Sequence, residues 1–479
     1  MTLNAAFPRP LGAELTRQRC LQAFLRRDLS AFTQKCFTEV MPTHVYLHNW
    51  HLDALAHHLS EVAAGRCKRL IITLPPRSLK SLSASIAFPA WLLGHNPSRR
   101  IICISYGRQL TVENANSFRR IVNSAWYQAL FPGLRVDPRT DTEDEVRTMG
   151  GGYRLTATIG GALTGRGGSI VIIDDPMKAS DAASEAARRS LNNWFDETLL
   201  SRLDDKRNDA IIIVMQRLHV DDLVGHVSRS GEWTRLDLPA IADCDADIPI
   251  GPERVCRRSK GDLLHPEREP LSVLEGLKRG MGSAIFSAQY LQRPVPAQGN
   301  LVRWEWFGRY NHLPEKQYHS KIVQSWDTAS KAEDLNDYSV GITAMVTKDV
   351  IHILDLYRAK LEYPELKRKI IAKKERWNAD IVLIEDKGSG TSLIQDLRRE
   401  HVLAKAVKPE GDKVVRMSAC SAQIEAGAVL LPDEAPWLDE FRSEVLAFPR
   451  GAHDDQVDAL SQLINWKRTK STYTLDNVG

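Results

Sequence analysis

Short, nearly all-apolar runs that alternate with helical patterns constrain this chain more than any other feature. The runs fall at 69–74 (RLIITL), 99–107 (RRIICISYG), 170–175 (IVIIDD) and 209–216 (DAIIIVMQ), with the alternating GYRLTATI at 152–159. Helical patterns over 50–65 and 109–124 lie among them. Strands that are apolar on both faces must be covered on both faces, so this half is expected to be α/β with a mostly parallel sheet. Residues 1–45 read as an amphipathic helical segment, for example LTRQRCLQAFLRRDLSAF.

At 479 residues the chain exceeds one ordinary core, and the pattern breaks once, at 292–310 (QRPVPAQGNLVRWEWFGRY). Strands then resume at 321–327, 338–346 and 350–359, followed by a charged helix at 364–377, a strand at 380–386, a Gly-Ser-Gly turn with a helix, and a last helix from His453. That is the element order of an RNase H-like domain. The expected boundaries are a helical segment at 1–45, an α/β domain at 46–295, a linker at 296–314 and the second domain at 315–479. No internal repeat or low-complexity tract interrupts them.

Charged residues make up 26% and hydrophobic residues 43%, which excludes extensive disorder. No run approaches the length that crosses a bilayer, and no signal-peptide pattern opens the chain, so no membrane partner and a cytoplasmic location are expected. The net charge of +4 does not by itself argue for nucleic acid. Seven scattered cysteines without a C-x-x-C read as reduced thiols, neither a disulfide framework nor a zinc site.

Two motifs carry chemistry in the first half. LIITLPPRSLKS (70–81) runs from a strand into a turn that ends in Lys-Ser and opens a helix. IVIIDDP (170–176) closes an apolar strand with two aspartates. Together they suit a P-loop binding Mg-ATP: backbone N–H groups of Arg77–Ser81 and the Lys80 ammonium on the phosphates, Ser81 and Asp174 on Mg²⁺, and Asp175 polarising water. Pro75 and Pro76 donate no N–H. Leu74 and Leu79 stand where G-x-x-x-x-G-K-[ST] has its glycines.

In the second half, Asp327 closes a strand in SWDTA, Glu385 and Asp386 close another in LIEDKGSG, and His453, Asp454, Asp455 and Asp458 open the last helix in HDDQVDAL. Carboxylates converging from different elements suit a nuclease holding two Mg²⁺ about 4 Å apart, with Mn²⁺ also possible. Asp458 lies one turn from Asp455. Each fragment taken alone also fits a helix cap or a turn. Candidate cations for a DNA backbone are Arg99, Arg100, Lys387, Lys408, Lys413, Arg416 and the run KRKIIAKK (367–374), with Lys387 the favoured one.

The run from WHLDALAHHL through LPPRSLKSLSASIAFPAWLLGHNP, with LTGRGGSIVIIDDP, VMQRLHVDDLVGHV, WDTA, IEDKGSG and HDDQVDAL, resembles the large terminase subunit of tailed phages and prophages. The resemblance spans about 40–468. It implies an N-terminal P-loop (RecA/ASCE-like) ATPase followed by an RNase H-like nuclease. In that family the first loop glycine is absent, so Leu79 is the true departure, and Asp175 stands where Glu is usual. Carried over by position, Pro76, Arg77, Ser78, Leu79, Lys80, Ser81, Asp174 and Gln216 hold ATP. Arg77 is the arginine finger in cis, with Arg119 and Arg120 as candidates in trans. Gln216 and Arg217 couple hydrolysis to movement, and Trp50 and His51 lie on the adenine side. Asp327, Glu385 and Asp455 are the nuclease ligands, joined by Asp458; Asp454, Asp386 and Asp337 are weaker.

The resemblance further implies double-stranded DNA, a small terminase subunit and a procapsid portal as partners, a ring of about five copies, and work in the host cytoplasm at the portal. Two other readings compete: a helicase- or restriction-type translocase with an inert or resolvase-like second domain, and a non-enzymatic DNA-binding or docking subunit.

Overall fold

A computed structural model of the protein describes residues 11–161, 165–230, 233–294, 301–313, 315–328, 338–386, 389–409, 412–449, 451 and 453–473. Two compact units form, one from Met1–Leu274 with Ala284–Val295 and the other from Glu275–Ser283 with Pro296–Gly479.

The first unit is built on a seven-stranded sheet: β1 (Arg69–Thr73), β2 (Arg100–Ser105), β3 (Glu145–Arg147), β4 (Tyr153–Thr158), β5 (Ile170–Asp174), β6 (Ala210–Met215) and β7 (Thr234–Asp237). Their order is β3-β4-β2-β5-β6-β1-β7, parallel except for β3. Alternate side chains feed opposite cores. Leu70 and Ile72 enter the layer shared with the helices Leu29–Val40 and Trp50–Ala63, while Ile71, Ile211 and Ile213 enter the other. Each such side chain contributes about 1.5–3 kcal/mol, which is why the all-apolar runs announce these strands. A hairpin of β8 (Ala246–Pro249) and β9 (Val255–Arg258) completes the unit's strands.

Register sets the site. Thr73 pairs with Met215 and Asp174 with Val214, so β1 and β5 end on either side of β6 at the carboxyl edge of the sheet. Loops leaving that edge are where open α/β sheets bind ligands.

The second unit carries β10 (Gly308–Tyr310), β11 (Lys321–Asp327), β12 (Ser339–Val346), β13 (Ile351–Ala359), β14 (Ile381–Glu385), β15 (Ala404–Val407) and β16 (Val429–Pro432). Their order is β10-β16-β13-β12-β11-β14-β15, with β11–β12–β13 an antiparallel meander and β14 parallel to β11. Gly341 on β12 lets the Trp326 ring lie across it, since a Cβ there would approach that ring to 2.7 Å. The closing helix Asp455–Tyr473 is fastened to β11: Ser325 Oγ donates to the Ala459 carbonyl at 2.8 Å and Gln462 Nε2 to Ser325 Oγ at 2.9 Å.

Among the described residues, no helix is long and apolar enough to cross a membrane.

Candidate functional sites

The turn after β1 is wound tightly. Arg77 and Leu79 take left-handed φ values of 58° and 59°, and Asp175, just beyond β5, takes 44°. These are three of the six non-glycine residues with positive φ among the described ones. Leu79 occupies a conformation that glycine adopts freely, at a cost of about 1–2 kcal/mol. Its half-buried side chain packs on the core beneath, which offsets the strain.

A helix then starts at Lys80 and widens into a π-turn over Leu82–Ala87 before continuing as Phe88–His95. Pro89 lacks the N–H that would bond the Ser85 carbonyl. The buried Arg154 guanidinium takes that carbonyl instead, at 3.0 Å. One turn apart, Ser81 Oγ and Ser85 Oγ both donate to Asp174, at 3.1 and 2.8 Å. Asp174 is almost fully buried. Burial first, then the Asp175 charge, raises its carboxyl to about 6, against the pull of Ser85, Lys80 and Ser81. Lys80, 7% exposed, is held 3.0 Å from Asp175 Oδ2. The Gln216 backbone N–H donates to Asp175 Oδ1 at 3.4 Å.

The sequence-derived nucleotide residues Ser81, Lys80, Asp174, Asp175 and Gln216 therefore meet at one edge of the sheet. Ser78 Oγ and Gln216 Oε1 are buried there without a hydrogen-bond partner among the described residues. Such orphaned atoms, with a lysine and a helix N-terminus, fit a phosphate-bearing ligand. Arg77 is exposed, and its carbonyl accepts from Arg268 Nη1. His51 is buried, its imidazole lowered to about 3 by burial and by the neighbouring His265 and Arg268. Trp50 stacks under Arg258 instead, 5.6 Å from the guanidinium.

Other expected roles meet competing partners. The Arg217 guanidinium is buried on Asp222 at 2.9 Å, turned to that carboxylate rather than to the loop. Arg119 is paired with Asp141 at 2.8 Å and 17% exposed; Arg120 is more open, 3.7 Å from Glu39.

In the second unit, the pairing of Trp326 with Ile384 sets Asp327 and Glu385 side by side at the ends of β11 and β14. Gly390, at the start of the helix Ser389–Arg399, lies where a Cβ would collide with the Glu385 carbonyl. The closing helix brings Asp455 and Asp458 to the same end. Asp327 is raised well above its ordinary value, first by burial and then by the charges of Asp458, Glu385 and Asp455. Asp455 is raised to about 6 by burial, Glu444 and Asp454.

Glu444, buried on the helix Leu438–Ala447, supplies what the sequence did not announce. Its carboxylate accepts from Gln456 N and Gln456 Nε2, both at 2.6 Å, and from Val457 N at 3.4 Å. It thus holds the first turn carrying Asp455.

Asp458 and Asp454 are engaged by cations. Lys413 Nζ lies 2.6 Å from Asp454 and 2.9 Å from Asp458, and Arg416 Nη2 lies 2.7 Å from the other Asp458 oxygen. Among the described residues, no three His, Cys, Asp or Glu side chains are drawn close enough together to hold a metal ion. The donor set is nonetheless all carboxylate, crowded by its own charge, with an ammonium already standing among it. That chemistry fits a hard divalent cation on Asp327, Glu385 and Asp455.

Lys413 and Arg416, read as DNA-backbone cations, thus face carboxylates. Arg100 sits 3.5 Å from Asp204, Lys367 3.1 Å from Glu400 and Lys373 2.6 Å from Asp355. Lys387 and Asp337 lie outside the described residues. Asp386 accepts from Thr391 Oγ1 at 2.8 Å, a turn contact. One signal could have exposed Ser85: it stands one helical turn from Ser81. Glu444 and the Lys413 pairs had none, because their partners lie far away in sequence.

Residues 324–467 match the family described as the terminase RNase H-like domain. No curated protein matches this chain. Among solved structures, the large terminase of a thermophilic bacteriophage, in its second crystal form, aligns with a TM-score of 0.50 at 12% identity, covering 85% of this chain and 98% of that one. The large terminase of bacteriophage HK97 gives 0.34 at 12% identity, covering 89% and 92%. The large terminase nuclease of another thermophilic phage, G20c, with bound magnesium, gives 0.29 at 16% identity, covering 36% and 98%. At these identities the first of these likenesses is one of fold. The family match agrees with the resemblance to large terminase subunits read from the motifs.

Proposed function

We propose that this chain, whose residues 324–467 form a terminase RNase H-like domain, is the large subunit of a viral DNA-packaging motor. It hydrolyses ATP to translocate double-stranded DNA into a procapsid and cuts concatemeric DNA with its second domain. The observation that carries the reading is the convergence of Asp327, Glu385 and Asp455 at one end of the second sheet, in a chain that also gathers Lys80, Ser81, Asp174 and Asp175 at the edge of the first.

At the ATPase site the loop N–H groups and Lys80 bind the phosphates, and Ser81 and Asp174 take the magnesium of Mg-ATP. Phosphate oxygens compete for Lys80, which releases Asp175 to orient the attacking water. Arg77 is placed to offset charge on the transferring phosphoryl group, and Gln216, bonded to Asp175, relays the change to the strand behind it. Leu79 belongs to the loop that shapes this cradle. At the nuclease site Asp327, Glu385 and Asp455 would hold divalent metal, Mg²⁺ or Mn²⁺, which when bound supplies Lewis-acid polarisation of a phosphodiester and an activated water. Glu444 keeps Asp455 in place.

The reading brings with it DNA, a small terminase subunit and a portal as partners, a homo-oligomeric ring of about five copies, and action in the host cytoplasm. DNA-stimulated ATP turnover by wild type and Lys80→Ala tests the motor half: turnover is expected in the first and lost in the second. Absence of turnover in wild type, alone and with portal and small subunit, would contradict it.

A further inference from the structure

The carboxylate end of the second unit already contains a cation of its own. Lys413 opens the helix Lys413–Glu425, whose N-terminus is capped by Asp412 accepting from Val415 N at 2.9 Å. Its ammonium bridges Asp454 and Asp458, at 2.6 and 2.9 Å. Arg416, one turn on, takes the remaining Asp458 oxygen at 2.7 Å. This face of the helix is fixed to the closing helix: Asn465 Nδ2 donates to the Arg416 carbonyl at 3.3 Å, and Cys420 Sγ contacts the Ser461 carbonyl at 3.6 Å. Asp458 is 6% exposed with both oxygens in charge-assisted contacts, so a metal could bind it only by displacing Lys413 or Arg416. The Lys413 side chain is 46% exposed, so its outer side faces solvent.

We infer that Lys413 is a built-in cation filling the position a second metal ion would take, so that the nuclease site binds one divalent ion, on Asp327, Glu385 and Asp455, and uses Lys413 in place of the other. The inference rests on the nuclease reading above. An ammonium is a compact point charge with three donors. Two are used on Asp454 and Asp458, and the third has no partner among the described residues, which leaves it to a phosphodiester oxygen on the exposed side. Arg416 fixes Asp458 so that it holds Lys413 rather than metal.

The test counts Mn²⁺ bound at equilibrium to the full chain, without DNA or nucleotide, from the electron paramagnetic resonance signal of free Mn²⁺. The ions lost in Asp327→Asn are those of the nuclease site. Wild type is expected to lose one equivalent on that substitution. Lys413→Gln is expected to gain a second equivalent, its dissociation constant lowered roughly ten- to hundredfold by removal of one positive charge at contact distance. Lys413→Arg, which keeps the charge, is expected to stay at one. Loss of two equivalents from wild type, with Lys413→Gln binding no more than wild type, overturns the inference and leaves the nuclease reading standing. No difference between wild type and Asp327→Asn overturns both. Should Lys413→Gln fail to fold, one or two equivalents lost from wild type still decides.

Discussion

A leucine at φ 59° beside the phosphate lysine is paid for by packing. Replacing it with glycine relieves about 1–2 kcal/mol of strain, while losing the half-buried side chain and loosening the unfolded chain takes back about as much. Leu79→Gly is therefore expected to leave the melting temperature nearly unchanged and to raise ATP turnover, because the backbone can approach the phosphates more closely. Leu79→Val, β-branched in the same conformation, is expected to melt lower and turn over more slowly. Turnover assays and thermal melts on the three proteins check this.

Asp174 makes a second prediction at this scale. Its folded carboxyl sits at about 6, above the ordinary 3.8. Between these values the folded state holds a proton that the unfolded state has released, so stability falls as pH rises through the window, by about 3 kcal/mol in all. Above pH 6 that loss is complete, and below 3.8 it is absent. Asp174→Asn removes it. In nucleotide-free protein, the gain in melting temperature of Asp174→Asn over wild type is expected to grow from pH 4 to pH 7; a gain that does not change with pH contradicts the assignment. Lys80, Ser81, Asp174 and Asp175 could be named from sequence because strand-end motifs carry them. The pairing of Lys413 with Asp454 and of Arg416 with Asp458 could not be named, because partners about forty residues apart leave no local pattern.

Elements explain why those side chains meet. Pro89 opens a gap in the helix after the loop, Arg154 closes it, and the π-turn between aims Ser81 and Ser85 at one carboxylate. Glu444 performs the matching task at the closing helix. Glu444→Ala is expected to weaken that first turn by about 2–4 kcal/mol, since buried charge-assisted bonds are lost together. Hydrogen exchange at Gln456 and Val457 should quicken by orders of magnitude, while β1 and β6 in the other unit keep their protection. Unchanged exchange at the two amides would remove Glu444 from this role.

The buried strands β1, β2, β5, β6 and β11–β14 stand within a residue or two of the apolar runs that announced them. What escaped were edges and short pieces. β7 reads TRLD, polar because one side is open, and β16 is four residues ending in proline. The helices Lys413–Glu425 and Leu438–Ala447 mix charge with apolar residues and also went unread.

At the scale of the whole molecule, two separate cores carry the two proposed sites. The first sheet gathers Lys80, Ser81, Asp174 and Asp175 at its carboxyl edge, and the second brings carboxylates from two strands and a helix to one end. The functions are expected to separate by mutation: Lys80→Ala should abolish ATP turnover and retain metal-dependent cleavage, and Asp327→Asn should do the reverse. The fold class was legible because its buried strands are continuous apolar runs, and the candidate site residues could be proposed because each stands in a short local motif at the end of a strand or the start of a helix. The ion pairs on Asp454 and Asp458 were not legible, because their cations come from another helix.

The most direct test of the account is Mn²⁺-dependent cleavage of supercoiled plasmid by wild type and Asp327→Asn. Wild type is expected to convert the plasmid to linear and smaller products, chelation to stop it, and Asp327→Asn to fall to the metal-free background. Equal cleavage by the two proteins, or none by wild type, would contradict it.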